Sequence, residues 1–359
     1  MIRVVNLISK ILAVLFLITL SSAFAQDSTN SNSYKIPYSI ASRIHLSKDN
    51  LPNLTYESAD PPKTDNLAIA SHPTFINSER PLIDGTSWRT YSDIDYLRLS
   101  SMIGLMATTN AVAYMYQRKV WYTEETTVFH SLEFLNDWNK YQQMDKFGHF
   151  EDAYFTSDLS GKIYRWSGMS GNSSVWLGAL TGWLWMLEIE VSDAFMAEWG
   201  FSWGDMLANT VGSGFYVLQQ FNYDLLGGIH PKFSWHKSEA WKENRYYRDP
   251  QALIEDYEGM TFWLTVNPHH YFPESWKKSY PQWLAPLGLA FGLGTKDIAS
   301  NPWGGHKEYF VGLDIDLRKL PIWDDWPFFK FVKSEVNFLR LPLPTIRFSP
   351  SGTWFGFYF

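Results

Sequence analysis

Four stretches of the chain repeat apolar residues at helical spacing, and a later run of shorter stretches alternates like strands. The first helix is expected over Asp93–Arg118, DIDYLRLSSMIGLMATTNAVAYMYQR, with Ser92 as its N-cap. A second runs from about Gln143 to Trp166, a third from Ser174 to Trp199, and a fourth from Ser202 to Asn222. Ser202 and Asp205 have the spacing of a capping box, in which the hydroxyl and carboxylate satisfy free backbone N–H groups. Gly178 and Gly182 form a G-x-x-x-G, and Gly204, Ala208 and Gly212 repeat every four residues, so helix backbones can approach closely. No helix except the first carries an apolar run approaching the about 20 residues of an independent bilayer span.

Strand signals follow at Met260–Val266, Leu284–Leu293, Glu308–Leu317, Phe328–Phe338, Pro344–Phe348 and Thr353–Phe359, separated by Gly, Pro, Asp and Asn. In VGLDIDL, Val311, Leu313, Ile315 and Leu317 face one way and Gly312, Asp314 and Asp316 the other, which predicts an apolar face and a wet one. The fold class is therefore α+β: a helical module over 92–223, a connector over 224–254, and an aromatic-rich antiparallel β module over 255–359. Six strands are fewer than a closed single-chain barrel of about eight or more requires. A partial barrel or half-sheet packed on the helices is expected. The terminal Phe359 resembles the last strand of outer-membrane barrels.

The beginning of the chain sets the compartment. Arg3 and Lys10 precede the apolar stretch Ile11–Leu20 and the triplet Ala23-Phe24-Ala25, so residues 1–25 read as a secretory signal peptide. Residues 26–91, rich in Ser, Asn, Asp and Pro, read as a loosely ordered leader with one short strand near Tyr34–Ile40. There is no cysteine, which excludes lipidation at a cysteine and disulfides. Removing the signal leaves 28 of the 30 basic residues against 37 acidic ones, a charge of −9 that argues against a nucleic-acid partner. Aromatic residues make up 18% of the chain, a composition that suits a membrane interface, a carbohydrate surface or one large aromatic core. Membrane lipid is the expected partner. An exported protein of the periplasm or outer membrane follows, with no protein partner specified.

Chemistry concentrates in DKFGHFED. Asp145, His149 and Asp152 fall at i, i+4 and i+7, on one helix face. Glu188, Glu190 and Asp193 lie on the third helix, and Asp205 and Asn209 share a face of the fourth. Should these faces converge, a histidine among carboxylates can serve as a general base or help hold a divalent cation. The alternative is an exposed helix pair with Lys146 in solvent. No G-x-S-x-G, H-E-x-x-H or P-loop is present, so neither a nucleophile nor a particular metal or cofactor is specified. His230, His236, His269 and His270 are expected at the surface or an interface.

The order Asp145-Lys146-Phe147-Gly148-His149-Phe150, Glu188-Ile189-Glu190 with Asp193 and Phe195, and Gly200-Phe201-Ser202 with Asp205, Asn209 and Gly212 resembles the YfiM-like family of predicted periplasmic lipoproteins. It is more distantly similar to VanZ-like inner-membrane proteins. The resemblance covers about residues 140–220 and implies an envelope location without an assigned reaction. Two functions are compatible with these residues. One is a membrane-associated envelope protein, structural or lipid-contacting, with a polar pocket among its helices. The other is an envelope hydrolase or transferase acting on a lipid or glycan with His149 as base.

Overall fold

The structure is a computed structural model that describes residues 94–120, 122, 125–247, 253–322 and 327–358. The signal and leader, the Ser92 cap and Phe359 lie outside them. The architecture is α+β, a helical region followed by a six-stranded antiparallel sheet. Its principal helices are α1 (Tyr96–Val120), α2 (Phe134–Asn139), α3 (Met144–Trp166), α4 (Gly171–Asp193), α5 (Trp203–Phe221) and α6 (Pro327–Val336). Among the described residues no helix is long and apolar enough to cross a membrane, α1 included.

Helix α3 is the axis of the helical module, and its neighbours reach it through small residues. A Cβ on Gly178 would lie 2.7 Å from the backbone of Gly161 and Ser157, and one on Gly212 would lie 2.3 Å from the Phe150 carbonyl oxygen. Only hydrogen fits at those crossings, so α4 and α5 lie against α3 backbone to backbone. Helix α4 starts at Gly171, where the Ser170 hydroxyl caps it, and stops at Asp193, earlier than the apolar pattern suggests. Beyond Asp193 the chain leaves the helix and pairs with residues 125–132. Thr127 N–H donates to Phe195 O and Leu132 N–H to Phe201 O. The continuing run AFMAEWG thus packs as turns and bends around a single bridge at Met196, a tertiary choice that periodicity cannot register.

The strands are β1 (Ile229–Trp235), β2 (Met260–Val266), β3 (Leu287–Lys296), β4 (His306–Ile315), β5 (Leu343–Ser349) and β6 (Thr353–Tyr358), paired in sequence order. Strand β1 falls in the stretch expected to be a connector, because its proline, histidine and lysine hide the alternation. Conversely, Phe328–Phe338, expected as a strand, is mostly α6. Lys333, whose ammonium donates to Leu320 O and Ile322 O, anchors its inner side.

The sheet is rolled, and its polarity is the reverse of an ordinary soluble sheet. One face carries Lys232, Thr261, Thr265, Asp314 and Thr345 beside Trp263, Ala290 and Phe310, all enclosed, with Arg347 at its rim. Tyr358 at the end of β6 reaches across to hydrogen-bond Thr261 on β2 at 3.2 Å. Within, Lys232 pairs with Asp314 at 2.9 Å and Asn337 at 3.0 Å. The Arg340 guanidinium lies 3.9 Å over the Trp263 ring and donates to Thr345 and to Leu313 O. Glycines on β3 and β4 make room: a Cβ on Gly292 would meet the Trp263 ring at 2.5 Å, and one on Gly312 the Arg340 guanidinium at 2.7 Å.

The opposite face holds Leu264, Leu287, Leu289, Phe291, Leu313, Ile346 and Trp354, each 40–65% exposed. The expected apolar face is present, but the face expected to be wet, with Asp314, is the enclosed one. Only one corner of the apolar face is covered, where Phe233, Trp235, Met260, Phe262 and Leu293 meet Tyr141, Met144 and Ile298. The free edge of β1 is finished by residues 338–340, since Phe233 N–H donates to Phe338 O and Arg340 N–H to Phe233 O. His230 and His270, expected at the surface or an interface, are buried, with His270 hydrogen-bonded to the carbonyl oxygens of Tyr223 and Asp224.

Candidate functional site

The site is assembled by a backbone reversal ahead of α3. Tyr141, Gln142 and Gln143 occupy three consecutive left-handed conformations, φ 52°, 54° and 65°. Non-glycine residues visit that region sparingly, so the turn persists only because its surroundings hold it. Tyr141 N–H donates to Pro302 O and its ring stacks on Tyr257 at 4.4 Å, while Gln142 donates to Gly304 O and Gln143 to Trp138 O. The reversal folds α2 back beside the start of α3 and sets Asp137 against the DKFGH segment.

Lys146 occupies the centre of the result. Its ammonium lies 2.9 Å from Asp137, 2.9 Å from Asp145 and 3.0 Å from Asp205, and its side chain is 4% exposed. Ser202 links the same groups: its hydroxyl donates to Asp137 at 2.6 Å and accepts from Asp205 N–H at 2.9 Å, capping α5. Burial alone would lower the lysine pKa, but the three carboxylates outweigh it and raise it. Asp145 moves upward, to about 6, because burial and the facing Asp205 carboxylate outweigh Lys146. Asp205 moves downward: burial opposes its charge, but His149 and Lys146 together prevail.

One turn along α3, His149 faces α4 and α5. Its Nδ1 lies 3.1 Å from Asn209 Oδ1 and 3.6 Å from Glu190 Oε1, and its Nε2 lies 3.9 Å from Asp205 Oδ2. Glu190 is 1% exposed; Oε2 accepts from Ser202 N–H at 3.0 Å, whereas Oε1 accepts no hydrogen bond. Asp193 accepts from the Tyr122 hydroxyl at 2.7 Å. Burial works against the charge of His149, yet Asp205, Glu190 and Asp145 push its pKa up to about 9. Burial pushes Glu190 up to about 8 against the pull of His149, and Asp193 up to about 7.

The structure therefore brings Asp145, His149, Glu190, Asp193, Asp205 and Asn209 into one neighbourhood. Asp152 is exposed on α3 and reaches this group only through its charge, which acts on His149. Glu188 turns away to accept from Asn110 on α1 at 2.8 Å. Sequence reasoning missed three members. Lys146, expected in solvent, is the central cation; Asp137 and Tyr122 gave no periodic signal, since they arrive from segments flanking the module. The one available signal for Lys146 was its position, one residue after Asp145, on a helix crowded by glycines on both neighbours.

As chemistry, the arrangement is a compensated charge network with one group at its rim. A general base must be unprotonated near its working pH. With its pKa raised, His149 is an imidazolium at neutral pH and donates rather than accepts. Its side chain is 20% exposed, and the carboxylates around it are almost enclosed.

Residues 134–221 match the model of the family described as predicted periplasmic lipoprotein (DUF2279), the stretch that runs from α2 to the end of α5. The match agrees with the YfiM-like resemblance and covers every group of the network except Tyr122. No curated protein and no solved structure matches the chain. The chain is thus an exported, envelope-associated protein.

Proposed function

We propose that this envelope protein is a lipid-contacting component of the outer membrane, with the outer face of its rolled sheet set against acyl chains and the helical charge network holding the module rigid beside it. The observation that carries the reading is the inverted sheet: ions and hydroxyls inside, apolar and aromatic side chains outside. In water an exposed face of this kind is an association hazard, whereas in a bilayer it is the low-energy arrangement. The outward positions of β3 and β4 are Leu287, Leu289, Phe291, Leu293, Tyr309, Val311, Leu313 and Ile315, with Thr295 and the charged Lys307 as the pair at one end of the ladder. At ten residues each, these strands match the about 9–11 residues of a transmembrane β-strand. An apolar stripe on α5, with Trp203, Leu207, Val211 and Leu218 exposed, adds to the lipid-compatible surface. The raised pKa of His149 and the enclosure of the carboxylates around it favour a structural network over a base open to substrate.

The test is fractionation. Full-length protein is expected to stay in the membrane pellet through a carbonate wash. The cross-strand partners Leu289 and Leu313 are the positions to charge. In the Leu289→Lys/Leu313→Lys double variant, each lysine costs about 2–4 kcal/mol at a bilayer midplane, and the protein should move to the wash with its circular dichroism unchanged. Release of the wild-type chain into the soluble fraction would remove the lipid assignment.

A further inference from the structure

The His149 end of the network lacks something that the Lys146 end has. Two groups of side chains there converge like metal ligands: Asp137, Asp145 and Asp205, and His149, Glu190 and Asp205. In the first, the lysine ammonium sits within 3.0 Å of all three carboxylates and already occupies the cation position. In the second, Lys146 reaches only the far oxygen of Asp205, and the positive partner facing Glu190 is an imidazole at the edge.

We propose that His149, Glu190 and Asp205 bind one first-row divalent cation of the Zn2+ or Mn2+ type. One ring nitrogen and one oxygen from each carboxylate lie within 4.8 Å of one another. With Nδ1–H given to Asn209, Nε2 is the ligating nitrogen and lies 3.9 Å from Asp205 Oδ2. Bonds of about 2.0–2.2 Å to a common ion place neighbouring donors roughly 3–4 Å apart, so this pair closes onto an ion with small side-chain movements, and Glu190 Oε1 turns toward the same point. Glu190 supplies the independent sign. It is 1% exposed, Ser202 N–H fixes Oε2, and Oε1 is turned toward His149 with no donor to satisfy it. A buried carboxylate oxygen without a donor calls for a partner, and a cation meets that need.

The supporting shell is in place. Lys146 holds the second Asp205 oxygen, and Asn209, fully buried, takes a hydrogen bond from the imidazole and sets the ring plane. One imidazole with two carboxylates is a mixed nitrogen and oxygen donor set, which suits Zn2+ and Mn2+ better than Ca2+. The partly exposed His149 is the way in.

The experiment is titration of the full-length protein, purified in detergent and stripped with a chelator, with Zn2+ and in parallel with Mn2+ and Ca2+, read by calorimetry and thermal melting. One equivalent of Zn2+ per chain and a rise in Tm are expected. Glu190→Gln and His149→Gln should each weaken binding by at least about tenfold, while Asp145→Asn, in the lysine-filled triad, should stay within about threefold. A second readout needs no variant: saturating Zn2+ should protect His149 from diethylpyrocarbonate, mapped by mass spectrometry. Absence of saturable binding by the wild-type chain, unchanged affinity in both ligand variants, or unprotected His149 at saturation would each overturn the site. None of these outcomes bears on carbonate extraction, so the metal and lipid proposals fail separately.

Discussion

Replacing Lys146 by methionine removes the one cation shared by Asp137, Asp145 and Asp205 and keeps most of its aliphatic volume. All three contacts are 2.9–3.0 Å and the lysine side chain is 4% exposed, so water cannot take over its role without opening the α2–α3–α5 junction. Removing one partner of a buried ion pair costs about 3–5 kcal/mol. At roughly 2–4 °C per kcal/mol for a module of this size, Tm should fall by about 6–20 °C near neutral pH. The pH dependence has a definite sign. Asp145 titrates at about 6 in the folded protein, above the usual carboxylate value, so its protonated form favours folding. Without Lys146 that pKa rises further, and the deficit of the variant relative to wild type should shrink as pH falls from about 7.5 to about 5. Circular-dichroism melts of both proteins at the two pH values measure this. A variant melting within about 2 °C of wild type at the higher pH, or a deficit that grows on acidification, refutes the central role of the lysine.

Other substitutions probe the packing. Gly178→Ala forces a methyl to 2.7 Å from the α3 backbone and should destabilise the protein by about 1–3 kcal/mol, whereas Gly214→Ala, with nothing within 4 Å, should stabilise it by about 0.5–1 kcal/mol; urea midpoints compare them. Ser202→Ala loses the α5 cap and the 2.6 Å bond to Asp137 together, an expected cost of about 2–4 kcal/mol, and Ser202→Thr should restore most of the melt. Phe291→Arg, on the outward face of β3, should leave the melt in detergent within about 0.5 kcal/mol of wild type while reducing carbonate-resistant membrane recovery.

The helices that carry the site were legible because their signals are local. Ser202 and the glycine spacings of α4 and α5 announce a cap and close crossings without any knowledge of what lies opposite. Convergence of His149, Glu190 and Asp205 could be framed but not fixed, because facing directions depend on crossings set by atoms as distant in sequence as Gly161 and Gly178. The role of Lys146 was hidden for the same reason: a lysine near acids reads as solvated until Asp137 arrives through three left-handed residues that no propensity favours. The sheet illustrates the opposite failure. Alternation located β4 within two residues but says nothing about which face is enclosed, and the customary assignment was inverted. In α6, Phe and Val suggested a strand, and the buried contacts of Lys333 overrode them.

The finishing of β1 by residues 338–340 imposes an order on assembly. Every other strand pairing in the sheet joins consecutive strands, whereas Phe233 waits for a segment about a hundred residues away. Until that segment emerges, β1 presents an unpaired edge beside an uncovered apolar face, the combination most prone to joining another chain. A protein translocated from its N-terminus is in this half-sheathed state throughout the crossing of the later strands. Its yield in the envelope should therefore depend on holding factors that bind extended apolar strands more than on the stability of the finished fold.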